Sequence, residues 1–273
     1  MLKVSIVTRK ITLGPSETRL LFELEKEGKT TFDFRDVIRI TGLGRADAWQ
    51  IVYRLSRKKR ITRVERGKYV LVPGRAGVEG DWSESLFSII PQVIDEYYVG
   101  FWTAMNHWGM TEQIPSAVFV ATPKRKKHIK YGGQMLRFIT ISRKKFFGFT
   151  QERVDKMQFN ISTREKTVAD ALVFPQYCGG LSEVTKAIWN SRNELDLKKV
   201  VECIKKMGVD VSLRRLGHIL RVLRTAPEVS RSLTKRKWYG FRFLDPAGPK
   251  KALTYSKEFG LIINVPDRKL TSW

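Results

Sequence analysis

The side chains with the most specific chemistry to offer lie between residues 45 and 68. Gln50 carries an amide that can bond adenine bidentately, and Arg45 or Arg54 can do the same with the O6/N7 edge of guanine. Trp49 and Tyr53 can pack on sugars or on thymine methyls. Arg57, Lys58, Lys59 and Arg60 can neutralise phosphates, and Arg63, Arg66 and Lys68 carry the positive charge onward. Phosphate contacts position a protein on a duplex, whereas base-edge contacts specify the site. The set as a whole has the make-up of a duplex-DNA reader. Plainer roles compete at three places: Trp49 as a half-buried staple, Tyr53 as a brace, and Lys58–Arg60 as a solvated run.

Other constellations offer less. Asp95, Glu96, Glu165 and Asp170, with Lys166, are the acids and base a metal-dependent nuclease would want. Glu165 and Asp170 are five apart, on different faces of a helix, and Glu165 is expected to serve as part of a helix cap. His107 lies among Trp102, Met105 and Trp108 and reads as a packed histidine. Tyr97, Tyr98, Phe101, Trp102 and Trp108 could stack bases, but their helical spacing points to a core. Two cysteines, Cys178 and Cys203, and three scattered histidines make neither a disulfide framework nor a zinc motif. Gly132-Gly133 reads as a turn, with no Walker-type loop around it. No catalytic residue, metal or cofactor is expected.

The DNA-reading residues need elements to hold them. A helix is expected from about Ser16 to Lys26, with Ser16 as N-cap, Leu20, Leu21 and Leu24 on its apolar side, and Gly28 ending it. A second runs from Phe34 to Thr41, capped by Asp33 with Asp36 completing the box. Gly42-Leu43-Gly44 forms a tight turn. A third helix runs from Arg45 to about Lys58, and its stretch Arg45–Arg57 is the candidate groove reader. Ala48, Ile51, Val52 and Leu55 form its inward stripe. Ile61–Val64 and Lys68–Val72 read as two strands around a turn at Gly67. Three helices and a two-stranded wing make a winged helix-turn-helix over residues 1–76, closed by the linker Pro73–Gly77. A B-DNA major groove admits one such helix.

The remainder, 77–273, is expected to be a larger mixed α/β domain, so the whole is α+β. Residues 84–161 hold mixed strands: a helical or irregular Glu84–Ile94, an aromatic helix Tyr98–Trp108 stopped by Gly109, and strands at Ala117–Ala121, Met135–Ile141 and Phe159–Ile161. Thr122–Lys130 is expected as a loop. Residues 162–225 are helical, opened by a capping box of Ser162 and Glu165, with helices at Ser182–Asn190, Asp196–Met207 and Ser212–Leu223. Trp238–Leu244 and Leu261–Val265 are closing strands within 238–266.

Charge separates these regions. Lys and Arg number 51 against 27 Asp and Glu, a net +24. By the same count residues 1–80 carry +9, 81–190 carry +4 and 191–273 carry +11. Such an excess favours a polyanionic partner over ion-pair networks, which would need acids in similar number. A second basic surface is expected from Lys124, Arg125, Lys126 and Lys127 together with Arg231, Lys235, Arg236 and Lys237. No apolar run reaches membrane-spanning length, and Met1–Lys10 has no apolar stretch of signal-peptide type. A cytoplasmic protein is expected.

Several short strings, in order, carry a likeness. They are 98–115 (YVGFWTAMNHWGMTEQIP), 118–122 (VFVAT), 145–149 (KFFGF), 162–170 (STREKTVAD), 177–180 (YCGG), 215–217 (RLG) and 260–265 (GLIINV). The chain resembles AbiEi-type antitoxins and transcriptional regulators of type IV toxin–antitoxin systems, from about residue 15 to 266. That resemblance implies an N-terminal winged helix that binds repeats in its own promoter and represses it. It also implies a C-terminal domain needed to counteract a nucleotidyltransferase toxin, not necessarily by direct contact. The expected function is therefore a sequence-specific DNA-binding repressor acting as an antitoxin. Two rival readings remain: an RNA-binding protein that protects a toxin's RNA substrate through its basic C-terminal surface, and a DNA-targeted nuclease.

Overall fold

Pro15 fixes the backbone angle of the first helical position, and the chain turns at once into α1 (Pro15–Lys26). The cap is Gly14, not Ser16, because the Glu17 carboxylate accepts from the Gly14 N–H at 2.8 Å. The computed structural model describes residues 12–76, 86–131, 133–154 and 157–273. Met1–Lys10, Gly77, Glu84 and Gly132, named above from their sequence, lie outside these. The chain divides into two compact units, one of residues 1–93 and 129–135, the other of 94–128 and 136–273. The first unit thus extends beyond the Pro73–Gly77 linker. The architecture is mixed α+β.

In the first unit α1 is followed by β1 (Thr31–Asp33), α2 (Phe34–Thr41), α3 (Arg45–Arg57), β2 (Ile61–Glu65) and β3 (Lys68–Leu71). The α2 box forms as its sequence predicts: Asp33 Oδ1 accepts from the Arg35 and Asp36 amides, and Asp36 Oδ2 accepts from the Asp33 amide at 3.0 Å. Gly42 ends α2 in the left-handed region, at φ 68°, where a side chain would be strained. The sheet order is β1-β3-β2, all antiparallel. β1 was not expected. Its three residues are too short to show a period, and it forms because β3 has a second edge to satisfy. Leu20, Leu24, Val37, Ile51, Leu55 and Tyr69 make the centre of one core. Each such side chain stabilises the fold by about 1.5–3 kcal/mol through burial. α4 (Leu86–Val93) joins the same unit, and Lys68 Nζ bonds its Gln92 carbonyl at 2.8 Å.

In the second unit β4 (Tyr98–Val99) precedes α5 (Phe101–His107), where one helix from Tyr98 to Trp108 was expected. Tyr98 and Val99 pair with Ala121 and Val120 on one side, and Val99 with Ile161 on the other. That ladder is worth more to them than a first helical turn, and extended Gly100 makes the break. The next elements are β5 (Ala117–Thr122), β6 (Ile129–Tyr131), β7 (Gln134–Thr140), β8 (Phe149–Val154) and β9 (Met157–Ser162). β6 lies in what was expected to be a loop, and its segment, 129–135, groups with the first unit, against β2. The second unit's sheet runs β7-β5-β4-β9-β8. β8 was missed as well. It pairs antiparallel along β9, from Phe149 opposite Ser162.

Five helices follow: α6 (Arg164–Val173), α7 (Leu181–Asn190), α8 (Leu197–Met207), α9 (Asp210–Val222) and α10 (Pro227–Thr234). Thr163 caps α6 by accepting from the Lys166 amide at 3.3 Å, one residue later than the expected Ser162–Glu165 box. Ser162 instead stays in β9, its hydroxyl 2.7 Å from that of Thr167. β10 (Arg242–Phe243), β11 (Thr254–Ser256), β12 (Leu261–Ile263) and α11 (Asp267–Leu270) close the chain. β10 covers only the end of the expected Trp238–Leu244 strand.

α9 sits at the centre of this half, with every residue from Ser212 to Leu220 buried. Arg215 donates to the carbonyls of Leu244 at 2.8 Å and Leu172 at 3.0 Å, and burial pushes its guanidinium down to about 10. Arg214 donates to the Gly240, Gly260 and Tyr239 carbonyls and pairs with Asp210 at 2.8 Å. At Gly217 an added Cβ would sit 2.7 Å from Cδ1 of the Phe259 ring. The Arg215-Leu216-Gly217 string is therefore a packing requirement.

Candidate nucleic-acid interface

α3 buries Ala48, Ile51, Val52 and Leu55 and turns its other faces outward. Arg45, Gln50, Arg54 and Arg57 are exposed, as are Ala46 and Asp47 in the first turn. Trp49 and Tyr53 are 43% and 57% exposed, unusual for rings of that size. Trp49 stacks on Phe34 of α2, with centroids 4.6 Å apart, so it is both staple and surface. Arg57 lies over the Tyr53 ring at 5.9 Å. The arrangement offers guanidinium forks, one amide and two ring faces from a rigid helix, which is what groove-edge recognition requires.

The flanking cations do not behave alike. Lys59 is exposed, in the left-handed region at φ 54°. Lys58 is half-buried and bonds Glu17 at 2.6 Å. Arg60, expected on phosphate, is 8% exposed: the chain turns inward there, with its carbonyl bonded by the Val72 amide. It belongs to the fold of the hairpin, and the phosphate role read from the Lys58–Arg60 run does not extend to it. Arg63 and Arg66 are exposed on the β2–β3 hairpin, where Arg63 Nε also bonds the Glu65 carbonyl at 3.1 Å. Lys68 is half-buried and held to Gln92, so it points at the unit's own backbone.

Glu17 positions α3 in a way that its place in the sequence does not reveal. It is 2% exposed, caps α1, bonds Lys58 and lies 3.7 Å from Arg54 Nε. Burial by itself pushes its carboxyl up. The bonds from Lys58 and from the Gly14 amide, with the nearby Arg54, outweigh that and hold it below the ordinary glutamate value. It fixes the last turn of α3 against the first turn of α1. The available signal was an acid at the third position of a Pro-led helix, which marks a cap but not its distant lysine.

In the second unit Lys124 is paired with Glu96 at 3.0 Å, and Arg143 shares that carboxylate. Arg125 and Lys127 are exposed, while Lys126 leans over the Phe138 ring at 5.6 Å. Arg231, Lys235, Arg236 and Lys237 are all exposed, on and just beyond α10. The two halves of the expected basic surface thus sit on separate elements, the loop after β5 and the end of α10.

The acids considered for nuclease chemistry do not gather at one site. Lys166 and Asp170 are fully buried, 2.5 Å apart, and the Tyr98 hydroxyl bonds both. Burial raises the Asp170 carboxyl, with Lys166 opposing it. Glu165 stands outside this network, only half-buried. His107 packs edge-on against Trp108 and Phe159, and burial lowers its imidazole below the usual value. Tyr97, Tyr98 and Phe101 are core residues. Among the described residues no group of three His, Cys, Asp or Glu is placed to hold a metal, and no helix is long and apolar enough to cross a membrane.

No curated protein matches the sequence. The structure is similar to the crystal structure of the RV2827C protein from Mycobacterium tuberculosis, with a TM-score of 0.70, 12% identity and 96% of each chain covered. At that identity the likeness shows the fold alone. Residues 19–72, from within α1 to just past β3, match the family model described as transcriptional regulator, AbiEi antitoxin.

Proposed function

We propose that α1 to β3 form a winged helix-turn-helix, that α3 enters the major groove of duplex DNA, and that the protein is a sequence-specific repressor. The observation that carries this is the exposed face of α3, where Arg45, Gln50, Arg54 and Arg57 stand beside two half-exposed rings on a helix whose opposite face is core. Arg45, Gln50 and Arg54 read base edges, Trp49 and Tyr53 pack on sugar or methyl groups, and Arg57, Lys59, Arg63 and Arg66 contact phosphate. The match to a transcriptional-regulator family over the same residues supports it. In this reading the protein works in the cytoplasm, binds repeats upstream of its own gene, and acts as the antitoxin to a nucleotidyltransferase toxin. It does so by binding and not by catalysis.

The test is a salt-titrated gel shift with the gene's own upstream duplex, a random duplex and tRNA. About six phosphate contacts give a log–log salt slope of roughly −5. Changing Arg45 and Gln50 together to Ala is expected to abolish the preference for the upstream duplex, whereas Lys59→Ala weakens all duplexes alike. Equal affinity for every duplex, or a preference for tRNA, would overturn the repressor reading.

A further inference from the structure

The three-stranded sheet β10-β12-β11 leaves a ring-bearing face open. Its register sets Phe243 beside Ile262 and Ile262 beside Tyr255, so these three share one side. Leu261 and Ser256 share the other side and are buried. On the open side Tyr255 is 57% exposed, and Phe241, 42% exposed, packs edge-on against it with centroids 5.3 Å apart. Tyr239, just before, is more exposed still. Rings of this size left in water on a sheet that has a core to join call for an occupant.

The surrounding charge says which kind. Between residues 235 and 257 there are seven Lys and Arg against the single acid Asp245. Several lie on the rings themselves: Lys250 over Phe243 at 5.2 Å, Lys237 over Tyr239 at 5.9 Å and Arg236 over Trp238 at 5.4 Å. Beside Tyr255 the edge strand β11 opens on a cleft of about 560 Å³ lined by His218, Arg221, Ser256, Lys257, Glu258 and Asp267, in which Glu258 pairs with Arg221 and Asp267 with His218, so the basic character belongs to the ring face and not to the cleft. An apolar protein partner would not need the cations. A duplex hides its base faces, so it would not need the rings.

We propose that this face is a stacking platform for single-stranded nucleic acid, with Phe241, Phe243 and Tyr255 taking base faces and Lys250, Lys251 and Lys257 the backbone. Stacked rings and a flanking basic track are how sequence-tolerant single-strand sites are built. The site is separate from α3 in residues and in ligand, so loss of duplex binding leaves it standing.

The experiment measures fluorescence anisotropy of the full chain with labelled oligouridylate and oligothymidylate of about 12 nucleotides, beside a duplex of equal length. The Phe241→Ala, Tyr255→Ala double variant is expected to lose about tenfold or more for both single strands, with duplex affinity unchanged. Tyr255→Phe, which keeps the ring, retains wild-type binding. Tighter binding of oligouridylate assigns RNA as the ligand, and tighter binding of oligothymidylate assigns DNA; either sustains the platform. Unchanged single-strand affinity in the folded double variant overturns it. A wild-type chain that binds neither oligonucleotide does so too, and hands the face to a protein partner.

Discussion

α3 and α9 are each 13 residues long and carry three arginines. Arg45, Arg54 and Arg57 of α3 are exposed. In α9 only Arg221 reaches the surface, while Arg214 and Arg215 are 3% and 5% exposed and bond backbone carbonyls. The difference lies in what surrounds the charge. α3 has one apolar stripe and can leave a face in water. α9 is enclosed by α6, α8 and α10, and its arginines supply donors to carbonyls in loops and in the last turn of α6. A count of cations therefore overstates the charge available to a partner. In residues 191–273 Arg214 and Arg215 are internal structure, and the basic run around the β10-β12-β11 sheet is among the cations that face out.

The sharpest way to break this comparison is Arg215→Met. If the side chain is structural, its loss takes the Arg215 donor from the Leu244 carbonyl and leaves that of Leu172 to Ser212 alone, and costs about 1–3 kcal/mol, read from the midpoint of urea unfolding. A cost below about 1 kcal/mol would mean α9 carries its arginines for another reason. The complementary change, Arg54→Ala, should do the reverse. Its ion pair with Glu17 is long and the side chain 57% exposed, so stability falls by less than about 1 kcal/mol. Affinity for the upstream duplex should drop about tenfold or more in the gel shift. The smallest effect is one of pH. The Glu17 carboxyl is depressed in the fold, so its charge contributes stability above the ordinary value of 4.5, and that contribution is lost as pH falls through the folded value. Glu17→Gln should flatten the acid limb of a stability–pH curve while leaving its alkaline side in place. An unchanged acid limb would dissociate Glu17 from Lys58.

How far the sequence led depended on whether a residue's partners were local. The α3 stripe, the Asp33–Asp36 box and the Gly67 hairpin depend on spacings of a few residues, and all three were legible. β1 and β4 are strands only because a distant neighbour offers an edge, and no period within two or three residues can announce that. The α6 cap was misplaced by one residue because Ser162 and Thr163 are both good caps, and the β8–β9 ladder decides between them. Within the candidate interface the exposed members of α3 followed from its period. Arg60 and Lys68 did not: a charge run looks alike in sequence whether the backbone beneath it faces water or turns back on the fold.

Glu17 gives the interface one more property. A lysine that reaches DNA with a carboxylate already attached brings no net charge to the phosphate, and releases no cation from the duplex unless that carboxylate lets go. On the proposed reading Lys58 is withheld from the phosphate set by Glu17, an internal competitor next to α3. A Glu17→Gln chain would grip every duplex more tightly and discriminate among them less, trading selectivity for adhesion.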